Sequence, residues 1–63
     1  MKNEQEYWKR FLNKTITVLK EKYYYTGLLK EVLEDKIILD DRKTGEMLIS
    51  FDNLSLIKVK GDL

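Results

Sequence analysis

The chain has 63 residues, 37% of them charged, with a formal net charge of +1 and no Cys, His or Pro. That length allows one domain, and a domain of this size buries only about 60% of the surface its unfolded chain exposes. Without Cys and His there are no disulfides, no thiolate chemistry and none of the commonest zinc ligands, so association with other subunits is the remaining way to add stability.

Taken in order, the sequence predicts a helix over about residues 3–12. Asn3 is a good N-cap, Glu6 three residues later makes a capping-box-like start, and Glu4 and Glu6 precede Lys9 and Arg10 as the helix dipole favours. Tyr7, Trp8, Phe11 and Leu12 share one face of this helix. A helix this short does not stand alone in water, so the aromatic face is expected to lie on the open end of a barrel. Asn13 suits the left-handed exit.

Five strands follow, at about 15–19, 23–33, 36–40, 47–51 and 54–60. In the first, Ile16 and Val18 alternate with Thr15 and Thr17. Lys20, Glu21 and Lys22 form a charged turn without the Asn-Gly signal of a tight hairpin. The stretch Tyr23 to Asp41 organises the rest. It is a long aromatic strand interrupted by Gly27, a short acidic turn at Glu34-Asp35, and the apolar run Ile37-Ile38-Leu39. Aromatic and β-branched residues fit a pleated, half-buried surface. A glycine inside a strand marks a sharp bend or a close backbone approach, and a bent long strand is how a small sheet curls. Tyr25, Gly27 and Leu29 share one face and Tyr24, Thr26 and Leu28 the other, while Ile37-Ile38-Leu39 reads as buried on both sides. Asp41 to Gly45 is a polar hairpin loop, and Asp52-Asn53 a tight turn. The expected fold is therefore mostly β: an N-terminal helix followed by a five-stranded, strongly bent antiparallel sheet forming a small open barrel in a single domain.

No apolar run approaches a membrane span and no signal-peptide pattern opens the chain, so a cytoplasmic protein without membrane partners is expected. Charge is unevenly placed. Residues 1–30 hold seven Lys/Arg and three Glu (+4), and residues 31–63 hold five Lys/Arg and eight Asp/Glu (−3). Lys9, Arg10, Lys14, Lys20 and Lys22 would line one surface if the helix packs on the barrel end, and Lys36 follows the acidic turn. Such a surface is attractive to phosphate in a sequence-blind, salt-sensitive way. Trp8 and Tyr7 could stack on bases, but anchoring the helix is the commoner use of such rings. There is no His or Cys for acid/base or nucleophilic work, no phosphate loop and no metal-ligand spacing, and the carboxylates Glu34, Asp35, Asp40 and Asp41 border turns. No enzyme, cofactor or metal is expected.

The ordered set resembles the Sm/LSm family from Trp8 to Val59. Leu12-Asn13-Lys14-Thr15-Ile16-Thr17-Val18 is similar to the family's Leu-Gly-Lys-x-Val-x-Val, with Asn13 replacing the glycine. Tyr25-Thr26-Gly27-Leu28-Leu29 matches Tyr-x-Gly-x-Leu, and Ile37 to Asp41 looks like the third strand and its acidic end. Leu48 to Ile57 is similar to the second signature, in which Ile-Arg-Gly-Asp-Asn-Val precedes the last strand. The resemblance implies a barrel that assembles head to tail, the fourth strand of one subunit pairing with the fifth of the next, in a homo-oligomeric ring. The implied interface residues are Leu48, Ile49, Phe51, Leu54, Leu56 and Ile57. Family members that bind uridine-rich RNA use an Asp and an Asn after the second strand and an Arg-Gly pair in the second signature. Here Leu33 stands at the Asp, the connection Glu34-Asp35-Lys36 offers no Asn, and Ser50 and Phe51 replace Arg and Gly.

Two functions follow as expectations. One is an RNA-associated, Sm-like oligomer without the usual uridine pocket, using Lys9, Arg10, Lys14, Lys20, Lys22 and Lys36. The other is an interaction or assembly module on the same scaffold that binds no nucleic acid. An SH3-like barrel of different origin is the alternative fold.

Overall fold

A computed structural model of the protein describes residues 4–60. The order is α1 (Glu4–Lys9), β1 (Thr15–Lys20), β2 (Tyr23–Val32), β3 (Lys36–Asp41), β4 (Gly45–Ser50) and β5 (Leu54–Val59). All pairings are antiparallel, in the order β4-β3-β2-β1-β5. This is the mostly β fold that the alternation of the sequence predicts. The sheet curls over one apolar core but does not close, because no β4–β5 ladder forms.

The helix is shorter than the expected span of 3–12. After Lys9 the chain tightens into three-residue turns: Phe11 N donates to Trp8 O at 3.0 Å, Leu12 N to Lys9 O at 3.2 Å and Lys14 N to Phe11 O at 3.1 Å. Asn13 then takes φ 66°, the left-handed exit its side chain tolerates. Its N–H meets Leu29 O at 2.8 Å, and Leu29 N meets Lys14 O at 3.0 Å, so the β1–β2 ladder begins before the strand proper. Asn3 and the tail 61–63 lie outside the described residues.

Trp8, Ile16, Val18, Leu29, Ile37, Leu39 and Ile49 form the buried core. Trp8 is 2% exposed and is the keystone of the helix. Its ring stacks on Phe51 (centroids 6.5 Å apart, planes at 13°) and meets Phe11 and Tyr7 edge-on at 6.2 and 5.3 Å. One hydrophobic anchor with three aromatic neighbours explains how so short a helix stays docked. Phe51, expected at a subunit interface, gives one ring face to the interior instead.

The bend of β2 has two causes. A Cβ on Gly27 would lie 2.9 Å from the backbone oxygen of Asp40 and 3.1 Å from its carbon, so this position serves a close approach of β2 to β3. Three residues on, the ladder passes from Leu29↔Leu39 to Glu31↔Ile38, leaving Lys30 as the extra residue of a bulge. A second irregularity, between Thr17↔Lys58 and Val18↔Leu56, leaves Ile57 without a partner on β5. The expectation that Ile37-Ile38-Leu39 is buried on both sides is corrected. Ile37 and Leu39 are fully buried, but Ile38 points to the outer face and is half-buried, as alternation across a one-sided sheet requires. Leu33 lies beyond β2, its N–H bonded to Lys36 O at 2.8 Å across the turn.

Candidate functional site

The site is built from the seam between the two free edges and the depression beside it. Lys20 ends β1 on the inner face. β4 is three places away in the sheet order, roughly 14 Å in a flat sheet. Yet Lys20 Nζ lies 2.8 Å from Ser50 Oγ and 3.4 Å from Ser50 O, and it also donates to Asp52 O. Only a strongly curled sheet brings these groups together. The ammonium has three N–H groups and finds three acceptors, so it ties the end of β1 to the β4–β5 turn where backbone pairing is missing. One backbone bond reinforces this closure, Glu21 N to Asn53 O at 3.3 Å, while Phe51 N to Asp35 O at 3.1 Å continues the β3–β4 ladder into the turn. Asn53 and Glu21 sit at φ 55° and 59°, which lets both turns fold in toward each other.

Beside this clamp, Lys20, Tyr25, Lys36, Met47, Leu48, Ile49 and Ser50 line a depression of about 600 Å³. Lys36 joins because β3 pairs it with Ser50. Its ammonium is 3.0 Å from Asp35 Oδ1. Both lysines of the depression thus have partners within the chain, a carboxylate for Lys36 and neutral oxygens for Lys20.

The six residues singled out for nucleic acid do not form one surface. Lys9, Arg10 and Lys14 are exposed on the helix and its exit, at the start of β1. Lys20 and Lys22 are at the other end of β1, roughly 20 Å away along six residues. Lys36 stands with Lys20 in the depression. The role of Lys20 as a clamp is not legible in the sequence. No local signal announces it, since its partners are some 30 residues distant.

Of the residues named for an interface, Leu48 on β4 is 62% exposed and Ile57 on β5 is 49% exposed. Leu54 and Leu56 are half-buried and packed against the core, and Ile49 belongs to the core itself. β4 and β5 each have one hydrogen-bonded neighbour and one free side. Among the described residues there is no group of His, Cys, Asp or Glu that could hold a metal ion, and no helix is long and apolar enough to cross a membrane. No family model, curated protein or solved structure matches the chain.

Proposed function

We propose that the protein is a Sm-like subunit that assembles head to tail through β4 and β5, and that the assembly associates with RNA without a uridine pocket. The observation that supports this best is the pair of unpaired edges, each bearing an exposed aliphatic side chain, Leu48 on one and Ile57 on the other. Unpaired apolar edges are hazards that proteins cover or blunt. Pairing each edge with the other edge of a second copy satisfies the backbone groups, and a fixed rotation closes a ring. It also adds the burial that so small a chain lacks. Light scattering at micromolar protein tests the assembly. Species of several times the 7.6 kDa subunit mass are expected. A stable, soluble monomer would overturn the proposal.

The RNA part departs from uridine recognition. Leu33 and Ser50 supply neither carboxylate nor guanidinium, and the cation that reaches Ser50 is Lys20, already held by internal acceptors. Contacts to phosphate through other lysines are what remains, and these weaken steeply with salt. The reading without nucleic acid is favoured by one feature: both lysines of the depression are internally engaged. An RNA titration at two salt concentrations separates them. Binding that falls steeply with salt supports association, and an oligomer that binds no RNA even at low salt selects the assembly module.

A further inference from the structure

On the outer face of the sheet, away from the seam and the helix, Thr15, Thr17, Thr26, Lys58 and Lys60 line a depression of about 260 Å³. Register explains the cluster. Thr17 is paired with Thr26 on β2 and with Lys58 on β5, so one row across three strands reads Lys58, Thr17, Thr26. The next row begins where Lys60 N bonds Thr15 O at 2.8 Å, which brings the second lysine beside the third threonine.

We infer that this depression is a phosphate-binding site, and that in the RNA reading, on which this use of it rests, it holds a phosphate of the backbone. Four features carry the inference. Lys58 and Lys60 have no ion pair or side-chain hydrogen bond among the described residues, whereas Lys30 and Lys36 are ion-paired and Lys20 is held by neutral oxygens. Among the described residues no carboxylate lines the depression; on the row of Thr15 the first is Asp40, two strands away behind Leu28. The hydroxyls of Thr17 and Thr26 lie 2.9 Å apart, so one donates to the other and the acceptor's own proton is left to point outward. Finally, Thr15, Thr17 and Thr26 stand on β1 and β2, two of the three strands paired on both sides, which fixes their positions, while the lysines bring flexible charge from the edge. Fixed hydroxyl donors with mobile ammonium groups suit the oxygens of a phosphate, as charge-assisted hydrogen bonds to an oxyanion are the strong kind. Side chains on this face stand out of the plane in which β5 would pair, so backbone pairing at that edge does not use them.

The test is an amide-shift titration of the full chain, one arm with inorganic phosphate and one with a twelve-nucleotide single-stranded RNA of mixed sequence. Shifts centred on Thr15, Thr17, Thr26 and Lys58 in both arms are expected. Shifts there with phosphate but none with RNA would keep the anion site and refute the RNA reading. RNA shifts confined to Lys9, Arg10, Lys14 and Lys22 would keep the RNA reading and overturn this site, and no shift in either arm overturns it as well. Two double variants report on the mechanism. Lys58→Gln with Lys60→Gln should lower the slope of log affinity against log salt by about 1.4, two contacts at about 0.7 each for a single strand. Thr17→Val with Thr26→Val keeps shape, charge and strand preference. It should weaken RNA binding about tenfold through lost hydrogen bonds to a charged group, with the salt slope unchanged. Unchanged affinity in the valine variant would reduce the site to diffuse attraction and overturn the proposal.

Discussion

Strands β1, β2 and β3 have a hydrogen-bonded neighbour on each side, while β4 and β5 have one on a single side. The difference runs through the side chains as well. The central strands supply Ile16, Val18, Leu29, Ile37 and Leu39 to the core, all essentially without exposure. The edge strands supply only Ile49 to that set and leave Leu48 and Ile57 largely open. The end of β1 is nonetheless tied to the end of β4 and to the β4–β5 turn, by an ammonium clamp and a backbone bond. A chain of 63 residues thus pairs its central strands on both sides and leaves one side of each margin strand unpaired.

The largest break in this contrast comes from removing what the centre is packed against. Trp8→Ala empties the fully buried keystone and leaves Phe51 without its stacking partner. Such truncations cost about 3–5 kcal/mol. The whole chain is expected to hold only roughly 3–9 kcal/mol at about 0.05–0.15 per residue. A mostly unfolded protein by circular dichroism is expected, and a loss below about 1 kcal/mol in urea titration would show that the helix is dispensable. Gly27→Ala comes next. Its Cβ would meet the Asp40 backbone at 2.9 Å, and backbone cannot swing aside as a side chain can. A loss of about 2–3 kcal/mol is expected, with faster amide exchange along the β2–β3 ladder.

Much of this architecture is written locally. Alternation in Thr15–Leu19, the glycine at position 27, and the left-handed tolerance of Asn13 and Asn53 each act within a few residues, and each appears where the sequence puts it. What the sequence conceals is made by distant pairs. The bulge at Lys30 is a property of two strands, because only the register with Leu39 and Ile38 leaves Lys30 over. Ile38 looks like its neighbours Ile37 and Leu39, and only the one-sided covering of the sheet tells them apart. The helix gives way to three-residue turns after Lys9, and the Asn13 N–H bonds Leu29 across the sheet instead of the helix. The basic residues share a stretch of sequence, yet the length of β1 separates Lys14 from Lys22. The row of Lys58, Thr17 and Thr26 requires two registers at once.

The clamp sharpens the comparison, since it acts on the edges and leaves the centre alone. Lys20→Met keeps most of the aliphatic stem and removes the donor to Ser50 and Asp52. The freed acceptors are partly exposed and water replaces the ammonium, so the cost is near the lower end for such bonds, about 1 kcal/mol. Its distribution is the informative part. Exchange should accelerate at Phe51 and Leu54, whose N–H groups belong to the tied turn, and stay unchanged at Leu29 and Leu39. Uniform acceleration would mean that the clamp supports the whole fold and that centre and edges are not separate units.

The smallest effect expected is at the bulge. Lys30 Nζ lies 2.8 Å from Glu46 Oε2, linking the extra residue of β2 to the outer strand β4 across β3. The hydrogen bond that Lys30 donates to Glu46, and then the charge of Glu46, raise the Lys30 pKa above the ordinary 10.5. A raised pKa means that the folded state holds this proton more tightly than the unfolded chain does. The contribution is therefore complete below the unfolded value and decays as pH rises through the higher folded value. Both groups are exposed, and exposed pairs contribute little and are screened by salt. The measurement is a difference: melting temperature against pH for the parent and for Lys30→Met, at low and at high salt. The parent's advantage should be small and constant through neutral pH, then shrink above about pH 10.5, and it should be smaller throughout in high salt. An advantage that persists undiminished at strongly alkaline pH would assign the effect to packing of the lysine stem across β3, and the bulge would then belong with the centre of the sheet and not with its edge.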